Sequence, residues 1–235
     1  HEQLLKNEEY TSARNYLKNR SLDKDQVKKF KIGYIEKNPN FFEELKKDFN
    51  LESLIETGLF YLDEKKKIYV ERFRGRLIFP INNIYGKPIA LGGRIIEKSD
   101  YLAKYINSPE TNFFKKGSNL YNLDSARKLS NKLNNIYLVE GYMDVVGLSK
   151  NGIENAVANL GTSLTDKQII TLNQFFDDIV ICFDGDESGY KAALRAAENS
   201  IRDLKPEKQI SFLFLPDKED PDSFINKNGK NYFID

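Results

Sequence analysis

The residues best suited to chemistry in this sequence are six carboxylates: Glu140, Asp144, Asp184, Asp186, Asp220 and Asp222. They lie in three short segments, EGYMD, DGDES and EDPDS, each close behind an apolar run. Read alone, DGDESG is a turn and helix cap, and EDPDS is a surface loop. Read together, three acidic segments at strand ends of one sheet bring like charges where they repel, unless cations sit among them. Hard oxygen donors select Mg²⁺ or Mn²⁺, ions that keep several waters and bridge to phosphates. Glu140, Asp184 and Asp186 are the expected metal ligands and catalytic group. Asp144 follows Glu140 by one helical turn and points back to the same edge. With Asp220 and Asp222 it is the expected further ligand or water-holding support.

The elements that must position these acids are legible from residue 135 onward. IYLVE, NAVAN, DIVICF and QISFLFL read as strands, the first ending in Glu140 and the third at Asp184. Between them lie a helix at 142–150, one beginning at Thr165 or Asp166, and the amphipathic run GYKAALRAAENSIRDL. Alternating strands and helices predict right-handed crossovers and a four-stranded parallel sheet. Loops at the carboxyl ends of such strands gather along one edge and form the ligand site.

Upstream the pattern differs. Residues 1–60 carry apolar positions at helical spacing, with Ser21 and Asp23 as cap candidates. KIYVERF, RLIFPI and KPIALGGRII predict a small, mostly antiparallel sheet. Residues 1–130 hold 25 basic and 18 acidic side chains, and residues 131–235 hold 11 and 17. The basic excess is densest over residues 65–116, suited to phosphates, whereas the acidic part suits divalent cations. Two solvated faces of one domain explain the same asymmetry. Arg72, Arg74 and Arg76 read as alternating along a strand, three forks on one face able to track a nucleic-acid backbone. Arg94 follows Gly92 and Gly93, where backbone can approach a ligand. Tyr105, Phe113 and Phe114 are candidates to stack on bases, with core packing expected for at least one Phe.

Composition removes other chemistries. One cysteine, Cys182, and one histidine, His1, exclude disulfides, multi-Cys zinc sites and His-based triads. No apolar run approaches the ~18 residues of a membrane span, and no signal peptide is apparent. The chain lacks an initiating Met and reads as a fragment.

These segments carry a family resemblance. VEGYMDVVGL, VANLGTSLTDKQ, ICFDGDESGYKAALRAAE and FLPDKEDPDSF resemble the TOPRIM domain shared by bacterial primases, type IA and II topoisomerases and some nucleases. ERFRGRLIFPI, GGRII, KYINSPET and FFKKGSNLYNL are similar to the catalytic core of bacterial replicative primases. The resemblance implies an α+β subdomain over 1–132, helices with a small mixed or antiparallel sheet, then an α/β TOPRIM domain over 133–235. It implies Lys104, Asn107 and Lys116 as nucleotide-binding and Lys115 as DNA-binding, beside Arg94 for the nucleotide and Arg72, Arg74 and Arg76 for DNA from the residue pattern. The TOPRIM Glu, here Glu140, is either ligand or general base.

The implied activity is DNA-templated synthesis of short RNA primers for replication, by metal-dependent nucleotidyl transfer from ribonucleoside triphosphates. The alternatives are a TOPRIM topoisomerase or nuclease and a non-catalytic nucleic-acid-binding module. Mg²⁺ is the implied cofactor, with Mn²⁺ able to replace it and no zinc in this fragment. Single-stranded DNA is the implied template. A replicative helicase is expected only through a C-terminal region that this sequence lacks. The expected setting is a monomer in the cytoplasm, at the nucleoid replication fork, with no membrane. The incoming triphosphate is expected to be bridged by metal between the acids and Arg94, Lys104 and Lys116.

Overall fold

The computed structural model describes residues 1–6, 10–37, 40–97, 99–161, 163–200 and 206–234. The chain forms two compact units, residues 1–81 with 88–114, and residues 82–87 with 115–235. Residues 115–132, placed with the upstream subdomain on sequence grounds, pack with the second unit. Their buried Leu120, Leu123 and Ala126 join its core.

The first unit begins with short helices α1 (Glu2–Lys6), α2 (Thr11–Asn19) and α3 (Lys24–Lys29). Asp23 caps α3 by accepting from the N–H groups of Asp25 and Gln26 at 2.8 and 2.9 Å. The other cap candidate, Ser21, lies in a turn at φ 55°. Strand β1 (Gly33–Ile35) is followed by α4 (Phe41–Leu45), α5 (Leu51–Glu56) and the antiparallel hairpin β2 (Phe60–Asp63) and β3 (Ile68–Glu71). Phe42, Leu54 and Phe60 form a small core under that hairpin. Strands β4 (Arg76–Asn82), β5 (Pro88–Ile95) and β6 (Tyr105–Asn107) complete a sheet of order β1-β4-β5-β6. Both β1 with β4 and β5 with β6 pair antiparallel.

The second unit contains α6 (Leu123–Ala126), β7 (Asn135–Val139), α7 (Tyr142–Lys150), β8 (Ala156–Ala158), α8 (Asp166–Asn173), β9 (Asp178–Ile181), α9 (Glu187–Ser200), β10 (Gln209–Phe212) and α10 (Pro221–Ile234). Its sheet has order β10-β9-β7-β8, and every pair is parallel, as the strand–helix alternation predicts. Thr165 is the N-cap of α8, with Gln168 closing a capping box. The helix expected to run to Leu204 is described as far as Ser200; residues 201–204 lie outside the described residues. Helix α10 is broken at Gly229, whose φ of 83° is not helical.

Burial explains the architecture. Ile136 and Leu138 of β7 join Ile179 and Ile181 of β9 in a core with α8 and α9, and all four are at most 1% exposed. Tyr137 faces the other way and meets Phe233 of α10, ring centroids 5.5 Å apart. Helices on both faces make the strands near-continuously apolar. Each fully buried Leu or Ile contributes about 1.5–3 kcal/mol.

Candidate active site

In the second unit the chain leaves β7 for β8 on one side, and β9 for β10 on the other. The topological switch therefore lies between the neighbouring strands β7 and β9, and open parallel sheets bind ligands outside the carboxyl ends at that point. Glu140 comes directly after β7, and Asp184 lies just beyond β9. The N–H of Asp184 donates to Glu140 Oε1 at 3.2 Å across the switch point, although 44 positions separate the two residues.

The other acids are anchored one by one. Asp186 Oδ1 accepts from the N–H of Gly189 at 2.7 Å and caps the start of α9. Asp220 Oδ1 accepts from the N–H of Ser223 at 2.7 Å at the head of α10. Asp144 is buried, and its Oδ2 accepts from the N–H of Gly141 at 2.9 Å. Asp222 is buried, accepts from Asn226 Nδ2 at 2.7 Å, and lies where a side chain on Gly147 of α7 would stand. The cap reading of DGDES thus holds for Asp186, and Asp220 of EDPDS, read as a surface loop, caps a helix too; each cap bond engages one oxygen of two. Glu219 is taken up otherwise, accepting from Ser223 Oγ at 2.6 Å and Lys227 Nζ at 3.0 Å.

The acidic loops also hold each other. Gly185 N–H donates to the Glu219 carbonyl at 2.8 Å, and Lys218 N–H donates to the Gly185 carbonyl at 2.9 Å. A Cβ on Gly185 would run into the carbonyls of Pro216 and Leu215.

The electrostatics carry the mark of an uncompensated acid cluster. Burial raises the Asp144 pKa well above the usual carboxylate range, and the charges of Asp184, Asp220 and Asp222 add to it. Burial likewise raises Glu140, Asp186 pushes it the same way, and the Asp184 N–H partly offsets both. The Cys182 thiol is pushed up by burial first, then by Asp144, Asp184 and Glu140.

Among the described residues, no three Asp, Glu, His or Cys side chains close into a metal cage. Mg²⁺ seldom uses an all-protein cage; one or two carboxylates, waters and substrate phosphates usually complete its shell. The site fits such an ion. Its donors are hard oxygens, several have one oxygen engaged by backbone, and their mutual repulsion is what a cation relieves.

The expected basic surface needs correction. Strand β3 ends at Glu71, and Arg72 and Arg74 stand in the turn before β4, where Gly75 has a φ of 68°. Strand alternation therefore does not put Arg72, Arg74 and Arg76 on one face. Arg74 is exposed. Arg72 is half-buried and donates to the Gly58 carbonyl at 2.9 Å. Arg76 is 4% exposed and donates to the carbonyls of Gly93 and Lys104. Burial lowers its pKa.

Arg94 is 7% exposed, packed 4.3 Å from the Tyr16 ring centroid, with its Nε donating to Tyr105 Oη at 3.0 Å. The space at Gly93 is filled by Phe73 and Arg76 side chains rather than left for a ligand. Lys104 is exposed, and Asn107 is half-buried at the end of β6. Phe114 is wholly buried while its neighbour Phe113 is 82% exposed, so the pair divides between core and surface.

Lys115 and Lys116 belong to a short loop whose anchors sequence reading missed. Buried Gln168 donates through Nε2 to the carbonyls of Lys116 and Asn119, at 3.1 and 3.0 Å, and to Asn159 Oδ1 at 3.2 Å. Thr165 Oγ1 donates to the Gly117 carbonyl at 2.6 Å. The Thr-x-x-Gln box was a visible signal, but it reports only a helix start.

A parallel sheet with an acid-lined switch point defines a TOPRIM unit, a fold that uses divalent metal. The family described as "Toprim domain" matches residues 134–214, and that described as "DNA primase catalytic core, N-terminal domain" matches residues 1–127. The chain belongs to the DNA primase catalytic core family. The Haemophilus influenzae DNA primase is 39% identical over 95% of the chain and 37% of the relative. That of Escherichia coli K12 is 40% identical over 99% of the chain and 40% of the relative. The chain thus spans about two fifths of these curated relatives.

Among solved structures, a primase domain from Pseudomonas aeruginosa superposes with a TM-score of 0.92 at 40% identity, covering 99% of this chain and 73% of that one. A DnaG primase catalytic domain bound to single-stranded DNA superposes with a TM-score of 0.90 at 38% identity, over 99% and 74%. Among the described residues, no helix is long and apolar enough to cross a membrane.

Proposed function

We propose that this chain is the RNA-synthesising core of a DNA primase, joining ribonucleoside triphosphates into short primers on single-stranded DNA. The observation that carries the reading is the Glu140–Asp184 contact at the switch point of a TOPRIM sheet, in a chain whose first unit belongs to the primase core family. Mg²⁺, with Mn²⁺ as substitute, is the proposed cofactor. Divalent ions bound there lower the pKa of the attacking 3′-hydroxyl and stabilise the departing pyrophosphate.

The chain's own residues then have separate tasks. Glu140, Asp184 and Asp186 hold the cations at the sheet edge. Asp144 fixes Gly141 behind Glu140, and Asp220 and Asp222 fix the head of α10 and tune the field. Lys104, Asn107 and Lys116 bind nucleotide phosphates, while Arg72, Arg74 and Lys115 contact template DNA. Arg76 and Arg94, being buried, hold together the first unit's sheet. The first unit and the Lys115–Lys116 loop serve the nucleic acid, and the acids of the second unit serve the metal.

Zinc has no part in this chain, which holds one cysteine and one histidine. The working form is a monomer in the cytoplasm, at the nucleoid replication fork.

The test is primer synthesis on single-stranded DNA with ribonucleoside triphosphates, with and without Mg²⁺. It is run on this chain and, for comparison, on the Escherichia coli DNA primase. Mg²⁺-dependent RNA products that vanish in Asp184→Asn support the reading. Equal synthesis by that variant at saturating Mg²⁺ removes the metal assignment.

A further inference from the structure

Two cavities flank the acid edge of the second unit, one with acids alone among its charged lining residues and the other with an acid and a base. One, of 420 Å³, is bordered by Asp184, Asp186, Glu187 and Asp217 with the rings of Tyr190 and Phe214, and no described Lys or Arg lines it. The other, of 120 Å³, is lined by Glu140, Asn159, Gly161, Ser163, Ala192 and Arg195, among others. Arg195 is the one cation among its described lining residues. It stands on α9, and Ala192 and Ala196 of the same helix line the cavity with it. Glu140 and Arg195 line the same cavity, yet among the described residues they form no ion pair.

A carboxylate and a guanidinium that share a small cavity without pairing leave room for a group between them. Small-molecule sites typically reach about 300–1,000 Å³, so this cavity is too small for a whole nucleotide. It suits a tetrahedral anion. Guanidinium forks match phosphate geometry, and the Ser163 hydroxyl can donate beside one. Glu140 lines the same cavity and repels an anion unless a cation lies between them.

We infer that Arg195, with Ser163, forms a phosphate subsite beside Glu140. It grips the outer oxygens of a phosphate whose inner oxygens face the Glu140-bound cation. The inference rests on the proposed metal role of Glu140. The phosphate belongs either to the incoming triphosphate or to the backbone of the growing RNA, and the chemistry of recognition is the same.

The experiment measures Mg²⁺-dependent binding to this chain of two probes separately. One is ATP, followed by calorimetry; the other is a fluorescein-labelled RNA–DNA heteroduplex, followed by anisotropy. Arg195 is exposed on a helix that tolerates Ala, so Arg195→Ala should keep its melting temperature. A loss of about tenfold or more for one probe, partly restored in Arg195→Lys, supports the subsite, and the probe affected names the phosphate's source.

Affinities within about twofold of wild type for both probes would overturn the subsite while leaving the metal site standing. Wild-type chain whose binding of both probes is indifferent to Mg²⁺ would overturn the metal reading and the subsite together.

Discussion

The peptide N–H of Gly185 donates to the carbonyl of Glu219 at 2.8 Å, and so ties the loop after β9 to the loop after β10. The bond from Lys218 to the Gly185 carbonyl closes the tie in the other direction. Asp184 and Asp186 are thereby held at a set distance from Asp220 by main chain, not by side chains that a cation or substrate would compete for.

Gly185→Ala should break that tie, because its Cβ has no place beside the Pro216 carbonyl. Overpacking of this kind costs about 1–3 kcal/mol, visible as a lower thermal midpoint. Primer synthesis should fall further than stability does, because the acids separate. A variant with wild-type synthesis and wild-type melting would show that the loops tolerate the wedge.

Glu140→Gln and Asp184→Asn should each lower primer synthesis by at least about a hundredfold, a size usual for loss of a transition-state charge contact. Neither should unfold the protein, since both changes remove charge from a crowded site. Product gels read beside circular dichroism separate loss of chemistry from loss of fold.

The pH dependence follows from Asp144. Its pKa is raised by burial first and by Asp184, Asp220 and Asp222 after that. A raised carboxyl prefers the protonated state in the fold. Its stabilising contribution is therefore complete below the unfolded carboxylate pKa of about 3.9, and is lost as pH rises through the elevated folded value. In metal-free protein, Asp144→Asn keeps an acceptor for the Gly141 N–H and removes the penalty. Its melting advantage over wild type should grow as pH rises above about 4 until Asp144 ionises in the fold, and Mg²⁺ should shrink it. An advantage constant with pH would mean that the Asp144 pKa does not differ between the folded and unfolded states.

Among the cations, exposure sorts the outcomes. Arg74→Ala and Lys115→Ala should each flatten the slope of log affinity against log salt for single-stranded DNA by about 0.7. Arg94→Ala should instead destabilise the fold by about 1–3 kcal/mol, through loss of its Tyr16 and Tyr105 contacts. Phe113→Ala should weaken DNA binding by about 1–3 kcal/mol if a base stacks there, with no loss of stability. Salt titrations and melts of the four variants give the full comparison.

By itself the sequence determined the second unit nearly in full. Apolar runs of strand length alternate there with amphipathic runs, and parallel connection forces their carboxyl ends to one edge. Acids placed just after those runs had to converge. The local signal failed at residues 72–76, where a period of two holds only within a strand and Gly75 at φ 68° turns the chain instead. ERFRGR contains that glycine, so the break was visible though unread. Only tertiary structure decided which cations are buried. Arg76 and Arg94 are enclosed by carbonyls and rings from segments distant in sequence, whereas Arg74 meets water. Gln168 likewise anchors the Lys116 loop across 52 positions. Burial and hydrogen bonding depend on what packs against a side chain, and no local pattern encodes the neighbour that the fold brings from elsewhere.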